Sequence, residues 1–281
     1  MIHNNRLIWD DGGTLRDLSA ALNDMQAATK VVDFQSGDYL YIGSDLPFNH
    51  RYFEVVSPNA VPATVTVQLW NGSAWVSAVD KIDQTDVGGV TLSQSGHLSW
   101  VKSKSEQWVK QDTNANSGIT GLSSLIIYDL YWARMSFSAN LTGTTSLRFV
   151  GQKFSDDTDL RSLWPDLIRA DAFAQWPYQP KTNWDDQHHE ASEYVIRALR
   201  RKGQLISSSQ ILNWEIFREA SAHKCAELIM NSMGKDWVEP RDKAAKYFDE
   251  AIEAWIFDID RNKDTLLDAS ERDVSTVVIR R

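Results

Sequence analysis

Apolar and polar residues alternate with a period of two in several short segments between residues 38 and 154. A period of two places successive side chains on opposite faces of a strand, so the pattern predicts half-buried β-strands. These segments cover 39–42, 52–56, 64–70, 90–92, 98–101, 132–137 and 147–150. Parallel strands would need crossover helices, for which the short connections leave no room. We therefore expect an antiparallel β-sandwich of jelly-roll or immunoglobulin-like kind.

Turn and capping residues add detail to this N-terminal region. Asn71-Gly72, between two tryptophans, predicts a hairpin with a two-residue type I′ turn, because both residues tolerate positive φ. The sequence from Thr14 to Asp17 follows two glycines and is typical of a helix start. One face of this short helix would carry Leu15, Leu18, Leu22 and Met25. The polar residues 102–124 predict a long loop or a mobile lid.

Beyond residue 185 the apolar spacing changes to three and four residues, which predicts amphipathic helices. They cover about 187–202, 209–233 and 240–257. Gly203 and Gly234 would end the first two, and Pro240 would lie in the first turn of the last. We expect a small antiparallel helical bundle.

Prolines interrupt the segment between these two regions, at Trp164-Pro165, Trp176-Pro177 and Gln179-Pro180. The sequence thus predicts an α+β multidomain protein. Residues 1–154 would form the β-sandwich domain with its short helix, 155–184 an ordered linker, and 185–281 the helical domain with a C-terminal tail.

Charge and cysteine content exclude several classes of protein. A net charge of −9 argues against coating nucleic acid, which requires many lysines and arginines to neutralise phosphates. A single cysteine, Cys225, excludes an intrachain disulfide framework, and its apolar neighbours predict a small buried side chain. The N-terminus carries no apolar signal-peptide core, and no run of eighteen apolar residues occurs. We expect folding in a reducing cytoplasm and no membrane span.

The common catalytic motifs are missing from the sequence. It contains no glycine-rich phosphate loop, no G-x-S-x-G turn and no C-x-x-C pair. His188-His189-Glu190 lacks the spacing of a zinc protease helix, and we expect these residues to be solvated in a first helical turn. The sequence therefore indicates a protein that is not an enzyme.

An acidic segment after the last helix matches the ligand spacing of a twelve-residue calcium loop. The ligands would be Asp260, Asn262, Asp264, the carbonyl of Leu266, Asp268 and a bidentate Glu271. Thr265 stands at the position that is normally glycine, where a β-branched residue costs about 1–2 kcal/mol. Two interpretations stay open: a Ca²⁺ site, or an acidic turn whose charges remain in water.

Two further features suggest contacts with other subunits or proteins. A basic group ends the first bundle helix: Arg197, Arg200, Arg201 and Lys202. The helix dipole alone accounts for it, and inter-subunit ion pairs are the functional alternative. A strand-forming C-terminal tail contains Val274, Val277, Val278, Ile279, Arg280 and Arg281. The tail would dock onto a partner by strand addition, or fold back on its own bundle.

Aromatic residues of the strand region allow two interpretations as well. Alternate aromatics in a sandwich are usually core residues, whereas exposed ones form platforms that stack on sugars. The residues concerned are Trp70, Trp75, Trp100, Trp108 and Trp132.

The C-terminal layout resembles the head-to-tail connector (adaptor, or neck) proteins of tailed bacteriophages. The resemblance covers about 185–281 and rests on the segments IRALRRKGQ, QILNWEIFREASAHKCAELIM, DKAAKYFDEAIEAWIFDID and VVIRR. A second resemblance is to β-sandwich modules of phage neck and tail proteins and of some carbohydrate-binding domains. It rests on the segments YFEVVSP, VTVQLWNGSAWV, QSGHLSW and YWARMSFSA.

The first resemblance implies a virion structural protein assembled in the host cytoplasm and located in the neck between capsid and tail. It implies a homo-oligomeric ring, usually a dodecamer, that contacts the portal protein through its C-terminal tail and also meets other neck or tail proteins. DNA would pass through the channel without sequence-specific binding. The alternative is a carbohydrate-binding or adhesin-like tail protein whose sandwich binds a host glycan.

We expect Ca²⁺ to raise the melting temperature of the full chain, because its ligands would be assembled only in the folded state. Glu271→Gln removes the bidentate carboxylate and should abolish the increase. Thermal melts in Ca²⁺ and in chelator measure both effects. Identical melting in the two solutions would identify the segment as a plain acidic turn.

Overall fold

A computed structural model of the chain describes residues 5–116, 118–178, 181–202, 207–254, 256–257 and 274–275. The chain divides after Gly151 into two compact units. The protein is α+β, with antiparallel sheets in the first unit and helices dominating the second.

The first unit contains two antiparallel sheets. Its elements are β1 (Asn5–Asp11), β2 (Thr14–Asp17), α1 (Ser19–Leu22), β3 (Lys30–Val31), β4 (Tyr39–Ser44), β5 (His50–Ser57), β6 (Val65–Trp70), β7 (Trp75–Ser77), β8 (Val79–Asp83), β9 (Gly96–Val101), β10 (Lys110–Gln111), β11 (Leu130–Phe137) and β12 (Ser146–Gly151). The seven-stranded sheet has the order β2-β1-β4-β11-β6-β7, with β10 also paired to β11, and the five-stranded sheet has the order β3-β12-β5-β9-β8. The prediction of antiparallel strands is confirmed.

Both sheets contribute side chains to one apolar core. The seven-stranded sheet provides alternate residues such as Ile42 and Met135, and the five-stranded sheet provides Phe53, Leu98 and Leu147. The alternation seen in the sequence therefore reports the inward and outward faces of each strand.

The hairpin expected at Asn71 is present, but its turn is not the two-residue type. Trp70 pairs with Trp75, so the loop contains the residues from Asn71 to Ala74. The side-chain oxygen of Asn71 accepts hydrogen bonds from the backbone N–H groups of Ser73 and Ala74, at 3.0 and 2.8 Å. Gly72 alone in this loop has positive φ, at 101°. Hydrogen bonds to the Asn71 side chain therefore stabilise a four-residue loop in place of the expected two-residue type I′ turn.

The segment expected to start a helix is instead strand β2. Asp11 pairs with Thr14, and the intervening Gly12 and Gly13 have φ of 55° and 93°. Positive φ at both central residues is what a two-residue type I′ hairpin turn requires, and glycine adopts it without strain. The predicted N-terminal helix is therefore reduced to α1.

The borders of both sheets are short or irregular. The seven-stranded sheet ends in the four residues of β2 and the three of β7. The five-stranded sheet ends in the two residues of β3 and in β8, whose register with β9 shifts between Val79 and Ile82. Asp80, inside this shift, has φ of 48°.

Residues 102–124 pack onto the outer face of the seven-stranded sheet, as far as the structure describes them. Ile119 and Leu122 are fully buried in a cluster with Tyr41, Trp70 and Trp132. The indole N–H of Trp132 donates to the carbonyl oxygen of Gln111. The described part of the segment, which includes β10, thus packs against the sheet and covers part of this face.

The second unit contains the longer helices. They are α2 (Asp157–Leu163), α3 (Ala170–Ala174), α4 (Asp185–Arg201), α5 (Arg218–Ser232) and α6 (Val238–Ala254). Short 3-10 turns lie at Pro165–Ile168, Ser208–Gln210, Glu215–Phe217 and Lys235–Trp237. Helix α5 packs against both α4 and α6. The expected second bundle helix begins later than predicted, because the residues before Arg218 form two short 3-10 turns at Ser208–Gln210 and Glu215–Phe217 instead.

The interpretation of 155–184 as a linker requires correction. Asp156 caps α2 by accepting from the N–H groups of Thr158 and Asp159, and the Asp159 carboxylate accepts from the Asp156 N–H. Leu160 and Leu167 are fully buried against residues of α4 and α5. The described residues of the segment therefore belong to the second unit, where its apolar side chains pack against α4 and α5.

Gly43→Ala should destabilise the first unit by about 1–3 kcal/mol, because overpacking strains a filled core. A Cβ atom at Gly43 would lie 2.8 Å from the Trp132 ring. Gly143→Ala is the matched control, since its Cβ would meet only Asp33 at an ordinary 3.7 Å. Urea unfolding followed by tryptophan fluorescence measures both variants. Equal stability of the two would contradict the close packing at Gly43.

Candidate functional site

The basic group predicted from the sequence lies at the C-terminal end of α4, and we call it the α4 basic end: Arg197, Arg200, Arg201 and Lys202. Helix α4 buries the face that carries Val195, Ile196 and Leu199. The four basic residues are exposed on the remaining surface. Their arrangement follows from an amphipathic helix whose apolar face is covered by its neighbours.

The four residues of the α4 basic end have different local contacts. The Lys202 ammonium donates to the carbonyl oxygen of Ile252 at 2.8 Å, which joins the ends of α4 and α6. The Arg197 guanidinium lies over the Tyr194 ring, 4.3 Å from its centroid. In the described part of the chain, neither Arg200 nor Arg201 forms an ion pair. These two guanidinium groups are therefore available to an external carboxylate.

Most of the other predicted site residues belong to the segment that follows α6. The calcium-loop residues Asp260, Asn262, Asp264, Leu266, Asp268 and Glu271, and the tail residues Val277, Val278, Ile279, Arg280 and Arg281, lie outside the described residues. For Val274 the backbone is described: β14 (Val274–Ser275) pairs with β13 (Ile256–Phe257). This pairing secures the start of the tail within its own chain. Docking by the remaining tail residues stays a prediction.

A buried polar cluster joins α2, α4 and α5, and it was missed by the sequence analysis. The Ser155 hydroxyl lies 2.8 Å from His188 Nδ1, and His188 Nε2 lies 3.2 Å from the Asp157 carboxylate. Ser155 Oγ also lies 2.8 Å from Ser221 Oγ. The expectation that His188 is solvated is wrong, because its side chain is 0% exposed and has partners on both ring nitrogens.

Serine, histidine and aspartate side chains in mutual contact also occur in hydrolases, where the serine attacks a substrate. Here the Ser155 side chain is shielded from solvent, since the residue is only 5% exposed, and its hydroxyl is engaged by Ser221 as well. The Ser155 hydroxyl is thus engaged in internal hydrogen bonds with His188 and Ser221. The cluster therefore satisfies buried polar groups and holds helices together.

A cleft of about 460 Å³ lies beside α6 in the second unit. Its lining residues are Leu163, Trp164, Pro165, Asp166, Leu167, Trp237, Glu239, Pro240 and Lys243. Behind it, the Trp164 indole N–H donates to His223 Nδ1 at 3.0 Å. Burial lowers the pKa of His223, and the neighbouring Glu219 opposes this shift. The neutral imidazole is thus the form that suits the Trp164 hydrogen bond.

The tryptophans proposed as a sugar-stacking platform are mostly core residues. Trp70, Trp100, Trp108 and Trp132 are buried, whereas Trp75 is half-buried. The buried tryptophans cannot stack on a sugar ring, so a platform made from all of these residues is wrong.

Cys225 is fully buried as predicted, and burial raises the pKa of its thiol well above the usual value.

One arginine on the outer face of the seven-stranded sheet is held by aromatic residues. The Arg134 guanidinium lies 4.3 Å from the Tyr39 ring centroid and 4.7 Å from that of Trp75. Its Nε donates to the Gln68 side-chain oxygen at 2.7 Å. The alternation of β11 could have indicated that Arg134 points away from the core, but its partners depend on strand register.

No protein-family model matches the chain, and a search of curated proteins finds no match either. In the described residues, no helix has the length and apolar character needed to cross a membrane. Those residues also contain no group of three or more histidine, cysteine or acidic side chains arranged to hold a metal ion.

Stability of the second unit should fall as the pH falls below about 6.5, the ordinary pKa of histidine. The folded-state pKa of His223 is lower, so the unfolded chain binds the proton first and acidification favours unfolding. His223→Gln removes the titration and keeps an acceptor for Trp164. Urea unfolding of both proteins between pH 7.5 and 5.5 should show the steeper loss in the unmodified chain. Parallel pH profiles would refute the lowered pKa.

Proposed function

We propose that this chain is a non-enzymatic structural protein of a virion, a head-to-tail connector whose copies form a ring beneath the portal. The first unit would be a sandwich of jelly-roll or immunoglobulin-like kind, and the second a ring-forming helical bundle. The proposal combines the layout of the C-terminal segments with the exposed charges of Arg200 and Arg201, which form no ion pair with another described residue.

The observation that carries the proposal is the position of opposite charges at opposite ends of α6. Lys202 of the α4 basic end contacts the carbonyl of Ile252, near the C-terminal end of α6. Asp236 and Glu239 lie at the N-terminal end of α6, and both are exposed. At 1.5 Å per residue, the helix separates Glu239 from Ile252 by about 20 Å.

Such an arrangement suits a head-to-tail contact between identical subunits. The basic end of one subunit would face the acidic end of the next. In the described residues, Asp236 and Glu239 form no ion pair, like Arg200 and Arg201. A heterologous contact of this kind closes into a ring when the rotation between subunits allows it.

The overall charge of −9 fits a channel through which DNA moves. Like charge prevents the phosphate contacts that would hold a duplex in place. In the assembled neck, the ring would contact the portal protein above and other neck or tail proteins below. The tail residues beyond Ser275 would provide the portal contact.

Replacing both Arg200 and Arg201 by glutamate should weaken the contact between subunits by about 1–3 kcal/mol, because attraction becomes repulsion at each interface. The concentration needed for ring formation should rise about 5- to 150-fold. Native mass spectrometry and negative-stain imaging, at several concentrations and with portal protein added, measure assembly. Arg148→Glu, on β12, is the control for a general change of charge.

A charge swap tests whether these acidic and basic residues pair with one another. Asp236→Lys and Glu239→Lys should disrupt rings on their own and restore them when combined with the glutamates at positions 200 and 201. Rings that survive the arginine replacements unchanged would overturn the proposed contact. A chain that stays monomeric at all concentrations, even with portal protein, would overturn the connector function.

A further inference from the structure

We propose that the outer face of the seven-stranded sheet binds a carboxylate-bearing saccharide, of the uronic or sialic acid class, through Arg134. This inference is independent of the connector function. It rests on the placement of Arg134 and on the side chains that surround it.

Strand register places Arg134 in a row of outward-facing residues. Tyr41 on β4 pairs with Arg134 on β11, Arg134 pairs with Gln68 on β6, and Gln68 pairs with Ser77 on β7. The neighbouring positions in each strand, such as Met135, belong to the core between the sheets. The row is therefore a continuous strip on the face opposite the core.

The guanidinium of Arg134 is fixed before any ligand arrives. The rings of Tyr39 and Trp75 contact it, and Gln68 accepts from its Nε. A guanidinium held in this way loses little side-chain entropy when it binds an anion. Burial and the charge of Asp10 raise the pKa of Tyr41 to about 12, against the opposing effect of Arg134. The Tyr41 hydroxyl thus stays neutral beside the cation.

Arg134 has no carboxylate partner within 4.0 Å among the described residues, although other arginines do. Arg218 lies 2.6 Å from Asp159, and Arg169 lies 2.8 Å from Asp166. Arg134 uses its Nε for Gln68 and also forms a hydrogen bond with the Tyr41 side chain. The terminal amino groups of a guanidinium form the fork that binds a carboxylate. The half-buried cation thus has the chemistry to bind an anion from outside the chain.

The residues around Arg134 indicate a saccharide rather than a nucleic acid. Polyphosphates need several cations in succession, whereas the strip around Arg134 offers one. Most of its other members carry hydroxyl, amide and aromatic groups: Tyr39, Thr66, Gln68, Trp75, Ser77 and Ser136. The Asp10 carboxylate, opposite Tyr39 in the sheet register, is an acidic neighbour at the border of the strip. Half-exposed rings with polar neighbours can stack on a pyranose and bond its hydroxyl groups.

A packed loop bounds the strip on one side. The Trp75 indole N–H donates to the carbonyl oxygen of Thr120 at 3.1 Å. Gly121 has φ of 103°, and a Cβ atom there would lie 2.3 Å from the Tyr41 hydroxyl oxygen. Glycine therefore allows the loop to approach the sheet closely, which keeps the ring of Trp75 beside Arg134.

Isothermal titration of the full chain tests the proposal with three acidic probes and their neutral counterparts. The pairs are trigalacturonate with galactotriose, methyl glucuronide with methyl glucoside, and N-acetylneuraminic acid with its methyl ester. We expect at least one acidic sugar to bind tenfold or more tightly than its neutral counterpart. No preference for the acid in any pair would overturn the proposal.

Variants assign the binding to Arg134. Arg134→Met should remove the preference for the acidic sugar, and Arg134→Lys should reduce it at least fivefold, because a lysine lacks the planar fork. Arg148→Met, on a strand of the other sheet, should leave binding unchanged. Thermal melts confirm folding, and the lysine variant keeps the charge if the methionine variant unfolds. Unaltered binding in folded Arg134 variants would overturn the assignment, as would equal affinity for a tetraglutamate peptide.

Discussion

The second unit depends on polar contacts that are shielded from water. The Lys153 ammonium, 1% exposed, lies 2.7 Å from the Asp185 carboxylate at the start of α4. Removing one partner of a buried ion pair typically costs 3–5 kcal/mol, because the other charge is left without compensation. These contacts therefore permit few alternative arrangements of the helices.

The cluster around His188 extends this constraint to α2. The Asp157 carboxylate approaches both His188 Nε2 and the backbone N–H of Trp184, at 3.2 and 3.3 Å. Ser192 accepts from the backbone N–H of Phe154 at 2.9 Å and donates to the carbonyl of His188. Apart from the bond between Ser192 and His188, both on α4, these bonds link separate segments of the chain. The short helices before α4 are thus positioned by hydrogen bonds as much as by apolar contacts.

Sequence reasoning succeeded where the determining interactions are local. Side-chain alternation revealed β4, β6 and β11, and apolar spacing located α4 and α6 to within about three residues. It failed where partners are distant in the chain. The partners of the buried His188 side chain, Ser155 and Asp157, lie more than thirty residues before it in the chain. Arg134 meets Gln68 only because of the register between β11 and β6.

The irregular sheet borders have a consequence for a protein that would be packed at high local concentration. A long, flat edge strand presents unpaired N–H and C=O groups, and copies can add to it without limit. Here β2, β3 and β7 are too short to template such growth, and the displaced register of β8 interrupts its ladder. The short and irregular edges therefore disfavour strand addition between copies of the first unit. Contacts between copies would then depend on specific side chains rather than on backbone pairing.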